Sequence, residues 1–227
     1  MKKVLIIKNG PYIVSGNVPL SKEIAVVGNS DEPEEWKKVK EYPKQESYAL
    51  CRCGKSNNKP FCDHTHIKVN FDGTETANEK KQIAQRFSGS ELDLIDIPEL
   101  CSSARFCHFA EGTWSSVENS DNPRSKKIAI QTACNCPSGR LTVCDKHTQK
   151  PIEPKFEQSI SLIEDPQAGV SGPIWVKGYV NLESEKGTIY KSRNRATLCR
   201  CGKSRNKPFC DSSHIDAKFN DGDESLR

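Results

Sequence analysis

The chain has 227 residues, of which 34% are hydrophobic and 28% are charged. This balance argues against one large core and favours two or three small modules that are stabilised by something besides apolar burial. The 34 basic residues exceed the 30 acidic residues by only four, so the net charge gives no argument for a nucleic-acid or membrane surface.

The first residues, MKKVLIIKNG, have a basic start, but the apolar run from Val4 to Ile7 is too short for the core of a signal peptide. No stretch of the sequence reaches the length needed to span a bilayer. We therefore expect a cytoplasmic protein whose thiols are reduced. In that compartment the eleven cysteines are expected to bind metal rather than to form disulfides.

The stretch that begins at Cys51, CRCGKSNNKPFCDHTH, contains three cysteines and a histidine four residues after the last of them. Cys51 and Cys53 can share a face only on an extended or turning backbone, and Gly54 gives freedom for the turn. Cys62 and His66 are four residues apart, which places both side chains on one face of a helix. A cysteine in the first turn of that helix would lie near the positive end of the helix dipole, which favours the thiolate.

The middle region, residues 74–165, has the patterns of a small α+β domain. Asn122 followed by Pro123 predicts the start of a helix that runs to about Cys134. Polar stretches at 74–81 and 164–167 bound the region. Alternating apolar and polar residues predict strands over three segments: Leu92–Ile97, Leu141–Cys144 and Ser159–Ile163.

The middle region also carries five cysteines: Cys101, Cys107, Cys134, Cys136 and Cys144. Pro137 ends the predicted helix, and Gly139 lets the backbone turn past a bulky inorganic group. The spacing of Cys101 and Cys107, followed later by CPSG at Cys136, resembles the divergent single-cluster ferredoxins. This resemblance implies either a [3Fe–4S] cluster on those three cysteines or a [4Fe–4S] cluster with a fourth ligand. Candidates for that ligand are Cys134, His108 and Cys144.

The alternative for the middle region is a ferredoxin-like domain retained for packing, without a cluster. Cys144 alternates with Leu141 and Val143 on a predicted strand, which favours an ordinary buried thiol. Cys134 is equally compatible with a helix residue that faces the core and binds no metal.

Residues 199–214, CRCGKSRNKPFCDSSH, repeat the first cysteine stretch with only three differences. The similarity extends upstream, where GPYIVSG at residue 10 matches GPIWVKG at residue 172. The same two ligand pairs recur as Cys199 with Cys201 and Cys210 with His214. Two pairs suit the two irons of a [2Fe–2S] cluster, whereas three cysteines and one histidine also suit a single structural zinc ion.

The shared pattern Cys-x-Cys-x2-Ser-x3-Pro-x-Cys-Asp-x-x-His resembles the CDGSH iron–sulfur family. The matching residues are Cys51, Cys53, Ser56, Pro60, Cys62, Asp63 and His66 in the first copy, and Cys199, Cys201, Ser204, Pro208, Cys210, Asp211 and His214 in the second. The resemblance implies a [2Fe–2S] cluster on three cysteines and one histidine in each copy, and it favours iron–sulfur over zinc. His64 and Ser212 replace the glycine of the motif. The repeat favours His66 as the ligand and leaves His64 exposed or beside the ligands.

These patterns predict a β-rich α+β protein with two CDGSH-type modules, residues 1–73 and 166–227, and an inserted ferredoxin-like domain, residues 74–165. Proteins of the CDGSH family pair two modules. The strands around Ile13 and Trp175 are therefore expected to form a shared β region, giving a monomer with an internal pseudo-dimer.

The ligand set predicts a redox or cluster carrier. Replacing a thiolate with a neutral imidazole raises the reduction potential above the ~−400 mV of plant-type ferredoxins. Acid competes with the metal for the imidazole nitrogen, so acid is expected to release the cluster. Seven cations near the ligands would raise the potential further, and they form either a solvated face or a docking site for an acidic partner: Arg52, Lys55, Lys59, Arg200, Lys203, Arg205 and Lys207.

The sequence shows no nucleotide-binding glycine pattern, no nucleophile elbow and no acid/base pair, which argues against an enzyme. We expect electron transfer to a redox partner or cluster transfer to an apo-protein acceptor, without nucleic acid or membrane. A zinc-stabilised interaction module without a redox role is the alternative.

Overall fold

The computed structural model describes residues 1–29, 31–78 and 82–226. Residues 79–81, the end of the polar stretch that bounds the middle region, lie outside these ranges. The strands are β1 (Lys3–Ile6), β2 (Tyr12–Ser15), β3 (Leu20–Val27), β4 (Pro33–Glu41), β5 (Ser47–Leu50), β6 (Gln85–Ser88), β7 (Leu92–Asp96), β8 (Leu141–Asp145), β9 (Pro151–Ile152), β10 (Ser159–Asp165), β11 (Val170–Lys177), β12 (Asn181–Ser184) and β13 (Arg195–Leu198). The α-helices are α1 (Thr65–Lys68), α2 (Thr113–Glu118), α3 (Pro123–Asn135) and α4 (Ser213–Asp216).

The protein is β-rich with few and mostly short helices, which agrees with the predicted α+β class. Short 3-10 segments occur at Pro98–Leu100, Phe106–His108 and Glu224–Leu226. No helix within the described ranges is long and apolar enough to cross a membrane.

Of the three sheets formed by the described residues, two combine strands from both ends of the chain. One sheet has the order β12-β1-β2-β5 and the other has the order β13-β11-β10-β3-β4. β12 pairs in parallel with β1, and β3 pairs in parallel with β10. Each sheet therefore includes at least one strand that comes from the opposite end of the sequence.

The strand β10 lies between β11 and β3 in the five-stranded sheet. In the sequence this strand falls within the predicted middle region, residues 74–165, because alternation identifies a strand but does not identify its neighbours. Ile160 and Leu162 on β10 are fully buried in the core of the terminal segments. By its pairing, β10 belongs with the terminal strands rather than with the middle sheet.

The two terminal segments share one hydrophobic core. Val4, Tyr12 and Leu50 from the first segment pack in the same cluster as Ile174 and Leu198 from the second. The Tyr12 hydroxyl donates a hydrogen bond to the carbonyls of Cys199, at 3.0 Å, and Pro208, at 3.1 Å. An aromatic residue of the first segment thereby supports the ligand loop of the second.

The middle sheet has the order β6-β7-β8-β9 and packs against α2 and α3. As predicted, Asn122 caps α3: its side chain accepts a hydrogen bond from the Arg124 backbone N–H at 2.9 Å, and Pro123 is the first helical residue. The helix buries Ala129 and Ala133 against this sheet. The buried residues of this core are Leu92, Leu94, Val117, Ala129, Ala133, Leu141 and Val143.

Arg195 on β13 ties the middle domain to the terminal sheets. Its buried guanidinium donates to the backbone carbonyls of Cys136, at 2.8 Å, and Leu141, at 3.1 Å, and its Nε donates to Glu153 at 2.9 Å. Trp36 on β4 adds a second connection, because its indole N–H donates to the Asn135 carbonyl at 2.9 Å. The C-terminal end of α3 is thus held against the five-stranded sheet.

Candidate metal centres

The first cysteine pair follows directly after β5. The Cys51 backbone N–H donates to the Pro60 carbonyl at 2.8 Å, and the chain then bends through Gly54, whose φ is +73°. This backbone places the sulfurs of Cys51 and Cys53 3.7 Å apart. The predicted turning backbone with a glycine at its end is confirmed.

The second pair, Cys62 and His66, is also brought together, with Sγ and Nδ1 3.3 Å apart. The prediction that both residues lie on one helix is wrong for Cys62, because α1 begins only at Thr65. The Asp63 carboxylate accepts hydrogen bonds from the backbone N–H groups of Asn57, at 2.8 Å, and Thr65, at 3.0 Å. These bonds hold a turn between Cys62 and the helix.

Cys62 is consequently not activated by a helix dipole. Burial raises the pKa of its thiol, although the His64 backbone N–H, 3.4 Å from the sulfur, acts in the opposite direction. Burial likewise raises the pKa of Cys53 to about 11. A positive metal ion, rather than the protein alone, is needed to stabilise these thiolates.

His64 lies beside this pair and is exposed. Its ring centroid is 5.8 Å from that of His66. Among the described residues of this stretch, the donor atoms of Cys62, His64 and His66 lie within 4.8 Å of one another, and those of Cys51 and Cys53 are not part of that group. The exposure that the sequence suggested for His64 is confirmed.

The second terminal stretch repeats this geometry closely. The sulfurs of Cys199 and Cys201 are 3.7 Å apart, and Cys210 Sγ is 3.4 Å from His214 Nδ1. Gly202 has a φ of +78° at the position equivalent to Gly54. The helix again begins after the cysteine, at Ser213. We call Cys51, Cys53, Cys62 and His66 the first terminal site, and Cys199, Cys201, Cys210 and His214 the second terminal site.

The two histidines differ in their surroundings. His214 is only 4% exposed, whereas His66 is partly exposed. Burial and the nearby Arg200 guanidinium lower the pKa of His214 to about 4. Burial and the neighbouring His64 also lower the pKa of His66. Both imidazoles therefore favour the neutral form that can bind a metal.

In the middle region, Cys101, Cys107 and Cys136 line one cavity of about 110 Å³, which we call the middle site. Burial, together with the charges of Cys136 and Cys101, raises the pKa of Cys107 to about 12. Of the three candidates for a fourth ligand, His108 lines this cavity. Cys134 Sγ points to the Ile152 carbonyl at 3.7 Å, and Cys144 is buried on β8.

Two of the seven cations that were predicted to form a solvated face or a docking site, Arg52 and Arg200, are buried. Arg52 is 1% exposed and donates to the carbonyls of Ile7, at 3.0 Å, and Gly73, at 2.7 Å. Arg200 is 3% exposed and contacts Glu164, at 2.8 Å, and Asp221, at 2.6 Å. Each arginine stands between two ligand cysteines in its copy, a repeated position that could have signalled a structural role.

Comparison with known families identifies two families along the chain. The family described as iron-binding zinc finger CDGSH type matches residues 9–67 and 171–215. The family described as divergent 4Fe-4S mono-cluster matches residues 87–146. The chain thus contains two CDGSH segments that flank a divergent single-cluster ferredoxin segment, and it is an iron–sulfur protein. No curated protein and no solved structure matches the chain.

Proposed function

We propose that each terminal site holds one [2Fe–2S] cluster through three cysteines and one histidine, and that the protein is a non-enzymatic carrier of electrons in the cytoplasm. A bound cluster of this type supplies a centre that gains and loses one electron. The residues hold it in two pairs, Cys51 with Cys53 and Cys62 with His66. The second terminal site does the same with its equivalent residues.

The separation of the two pairs is the observation that carries this proposal. Two thiolates on one tetrahedral metal with bonds of ~2.3 Å lie roughly 3.8 Å apart, close to the 3.7 Å between the Cys51 and Cys53 sulfurs. A single zinc ion would need all four donor atoms at about that separation from one another. Cys51 and Cys53 do not join the group within 4.8 Å that Cys62 forms. One metal for each pair fits these distances better than one metal for all four ligands.

We further propose that the two terminal modules form an internal pseudo-dimer. Each of the two terminal sheets includes a strand of the opposite segment, and both segments contribute to one core. The ligand loops also meet: a Cβ atom on Gly54 would lie 2.6 Å from the Cys201 carbonyl oxygen, and one on Gly202 would lie 2.5 Å from that of Cys53. A small-angle scattering profile with two well-separated lobes would contradict this arrangement.

Cluster transfer to an apo-protein is a second candidate function, and it applies to the first terminal site. His66 is partly exposed and His64 is exposed beside it, so an acceptor could reach these ligands. Lys55 is exposed and Lys59 is partly exposed on the same loop, which would suit an acidic partner for either function. The buried His214 offers no comparable access at the second terminal site.

The deciding experiment is metal and acid-labile sulfide analysis of protein purified without oxygen. Two [2Fe–2S] clusters require about four iron and four sulfide per chain, and a filled middle site adds three or four iron. A red or brown protein with visible absorption is expected. Stoichiometric zinc without acid-labile sulfide would instead support the zinc-stabilised interaction module.

A further inference from the structure

Ser212 joins the second terminal site to the middle site. Its hydroxyl donates a hydrogen bond to the Cys101 carbonyl at 3.0 Å and accepts one from the Ser103 hydroxyl at 2.7 Å. Its backbone N–H points at Cys210 Sγ at 3.5 Å. A single residue therefore contacts a ligand sulfur of one site and the backbone of a ligand of the other.

The segment that carries Cys101 is fixed over the second terminal site by further contacts. Arg105 makes two hydrogen bonds of 2.9 Å to the Asp165 carboxylate. Asn206, on the ligand loop itself, donates from its side chain to the Glu99 carbonyl at 3.3 Å. The Ser212 contact is thus part of a docked interface and does not depend on one hydroxyl alone.

The first terminal site has different surroundings at the equivalent position. His64 replaces Ser212 there, and it is exposed to solvent. The two ligand histidines differ in the same way, because His66 is partly exposed and His214 is buried. Between the two terminal sites, the backbones at Gly54 and Cys201 are in direct contact. The three sites therefore stand in the order middle, second terminal, first terminal.

We infer that electrons pass between the middle site and the second terminal site across the Ser212–Cys101 contact, and that an external partner exchanges electrons at the first terminal site. This inference rests on the proposed function and adds an internal route to it. One electron moves at each step, and no bond forms or breaks. A reduced one-electron carrier of the ferredoxin or flavin type supplies the electron, and an oxidised carrier of the same class removes it. Ser212 acts as a positioning residue.

Ser212→Gly and His64→Gly form a matched pair of variants to test this route. Both residues stand where the CDGSH motif has glycine. Their φ angles are positive, +72° for Ser212 and +65° for His64, so glycine fits either backbone. Each protein is reduced with less than one equivalent of dithionite, and electron distribution is followed by rapid freeze-quench electron paramagnetic resonance. We expect Ser212→Gly, which keeps the docked interface but lacks the hydrogen bond to the Cys101 carbonyl, to slow the exchange between the middle and second terminal signals. His64→Gly should leave it unchanged.

Ser212→Asn provides a rescue, because asparagine tolerates positive φ and keeps a hydrogen-bond donor at this position. We expect it to recover the exchange rate that Ser212→Gly lowers. Equal exchange in the wild-type protein, Ser212→Gly and His64→Gly would overturn the inference.

Two ligand variants identify the interacting pair by a spectral signature. In fully reduced protein, a [4Fe–4S] cluster at the middle site would give a signal that magnetic interaction with its neighbour should broaden. Cys210→Ala is expected to remove this broadening, whereas Cys62→Ala should leave it. The opposite result would overturn the proposed order.

Iron analysis separates this inference from the proposed function. A wild-type protein with filled terminal sites and no iron at the middle site would overturn the inference alone. Absence of [2Fe–2S] signals from both terminal sites would overturn the proposed function itself.

Discussion

Replacing Arg200 with methionine should destabilise the protein far more at neutral pH than in mild acid. The substitution removes the cation that faces Glu164, which is 0% exposed, and Asp221. Methionine keeps most of the length of the side chain but provides no donor. Breaking a buried pair by removing one partner costs about 3–5 kcal/mol. With a urea m-value of roughly 2 kcal/mol/M, the unfolding midpoint should fall by about 2 M.

The pH dependence follows from the state of Glu164. Burial raises the pKa of this carboxyl even with Arg200 present, and loss of the guanidinium raises it further. An acid with a raised pKa in the folded state contributes stability that is lost as the pH rises through that pKa. Lowering the pH from 7 to 5 should therefore recover up to about 2.7 kcal/mol in the variant, at ~1.36 kcal/mol per pH unit.

Arg52→Met is the matched control, since Arg52 is equally buried but donates to backbone carbonyls. For both variants, the urea midpoint of unfolding is measured under anaerobic conditions at pH 5 and pH 7, with tryptophan fluorescence as the probe of unfolding. Arg52→Met should lower the midpoint by a similar amount at both pH values. If Arg200→Met showed no greater pH dependence than Arg52→Met, the assignment of a buried charged pair would be wrong. Combining Arg200→Met with Glu164→Gln should restore much of the loss at pH 7.

Three further outcomes are expected. Replacing His66 and His214 with cysteine should make the clusters persist in acid, because a proton no longer competes with the metal for a ring nitrogen. Equal rates of bleaching at pH 5 in the variant and the wild-type protein would contradict this. Gly54→Ala should lower the urea midpoint of unfolding, because its Cβ would lie 2.6 Å from the Cys201 carbonyl oxygen at a φ of +73°. Gly187→Ala is the control for backbone strain, because its φ is also positive, +84°, but its Cβ would meet nothing within 4 Å. A potentiometric titration should resolve two terminal midpoints with the first terminal site higher, and site-specific loss in Cys62→Ala and Cys210→Ala assigns them.

Much of each terminal site could be predicted because its ligands are close in sequence. Cys51 and Cys53, two residues apart, can bind together only on an extended or turning backbone. Cys62 and His66, four residues apart, can lie on the same side of a short turn. The sequence did not reveal that Asp63 would accept two backbone N–H groups and delay the helix to Thr65. Spacing therefore predicted the proximity of the ligands correctly and the local backbone only in part.

The features that could not be predicted depend on contacts between distant segments. The pairing of β10 with β3 joins residues about 140 positions apart, and alternation within Ser159–Ile163 carries no information about that partner. The burial of Arg52 and Arg200 also depends on distant groups, because arginine beside a cysteine is ordinarily a surface residue. The pairing of strands from both ends of the chain and the burial of these two arginines therefore depend on residues that lie far from them in the sequence.

Nearly identical ligand stretches thus acquire different environments from their neighbours. The middle domain covers Ser212 and leaves His64 in water, so the second terminal site is the less solvated of the two. An added electron increases the negative charge of a cluster, and water stabilises charge better than a protein interior does. The more exposed first terminal site should therefore hold the electron more strongly. This difference would drive electrons from the covered site toward the exposed one, without any change in the ligands themselves.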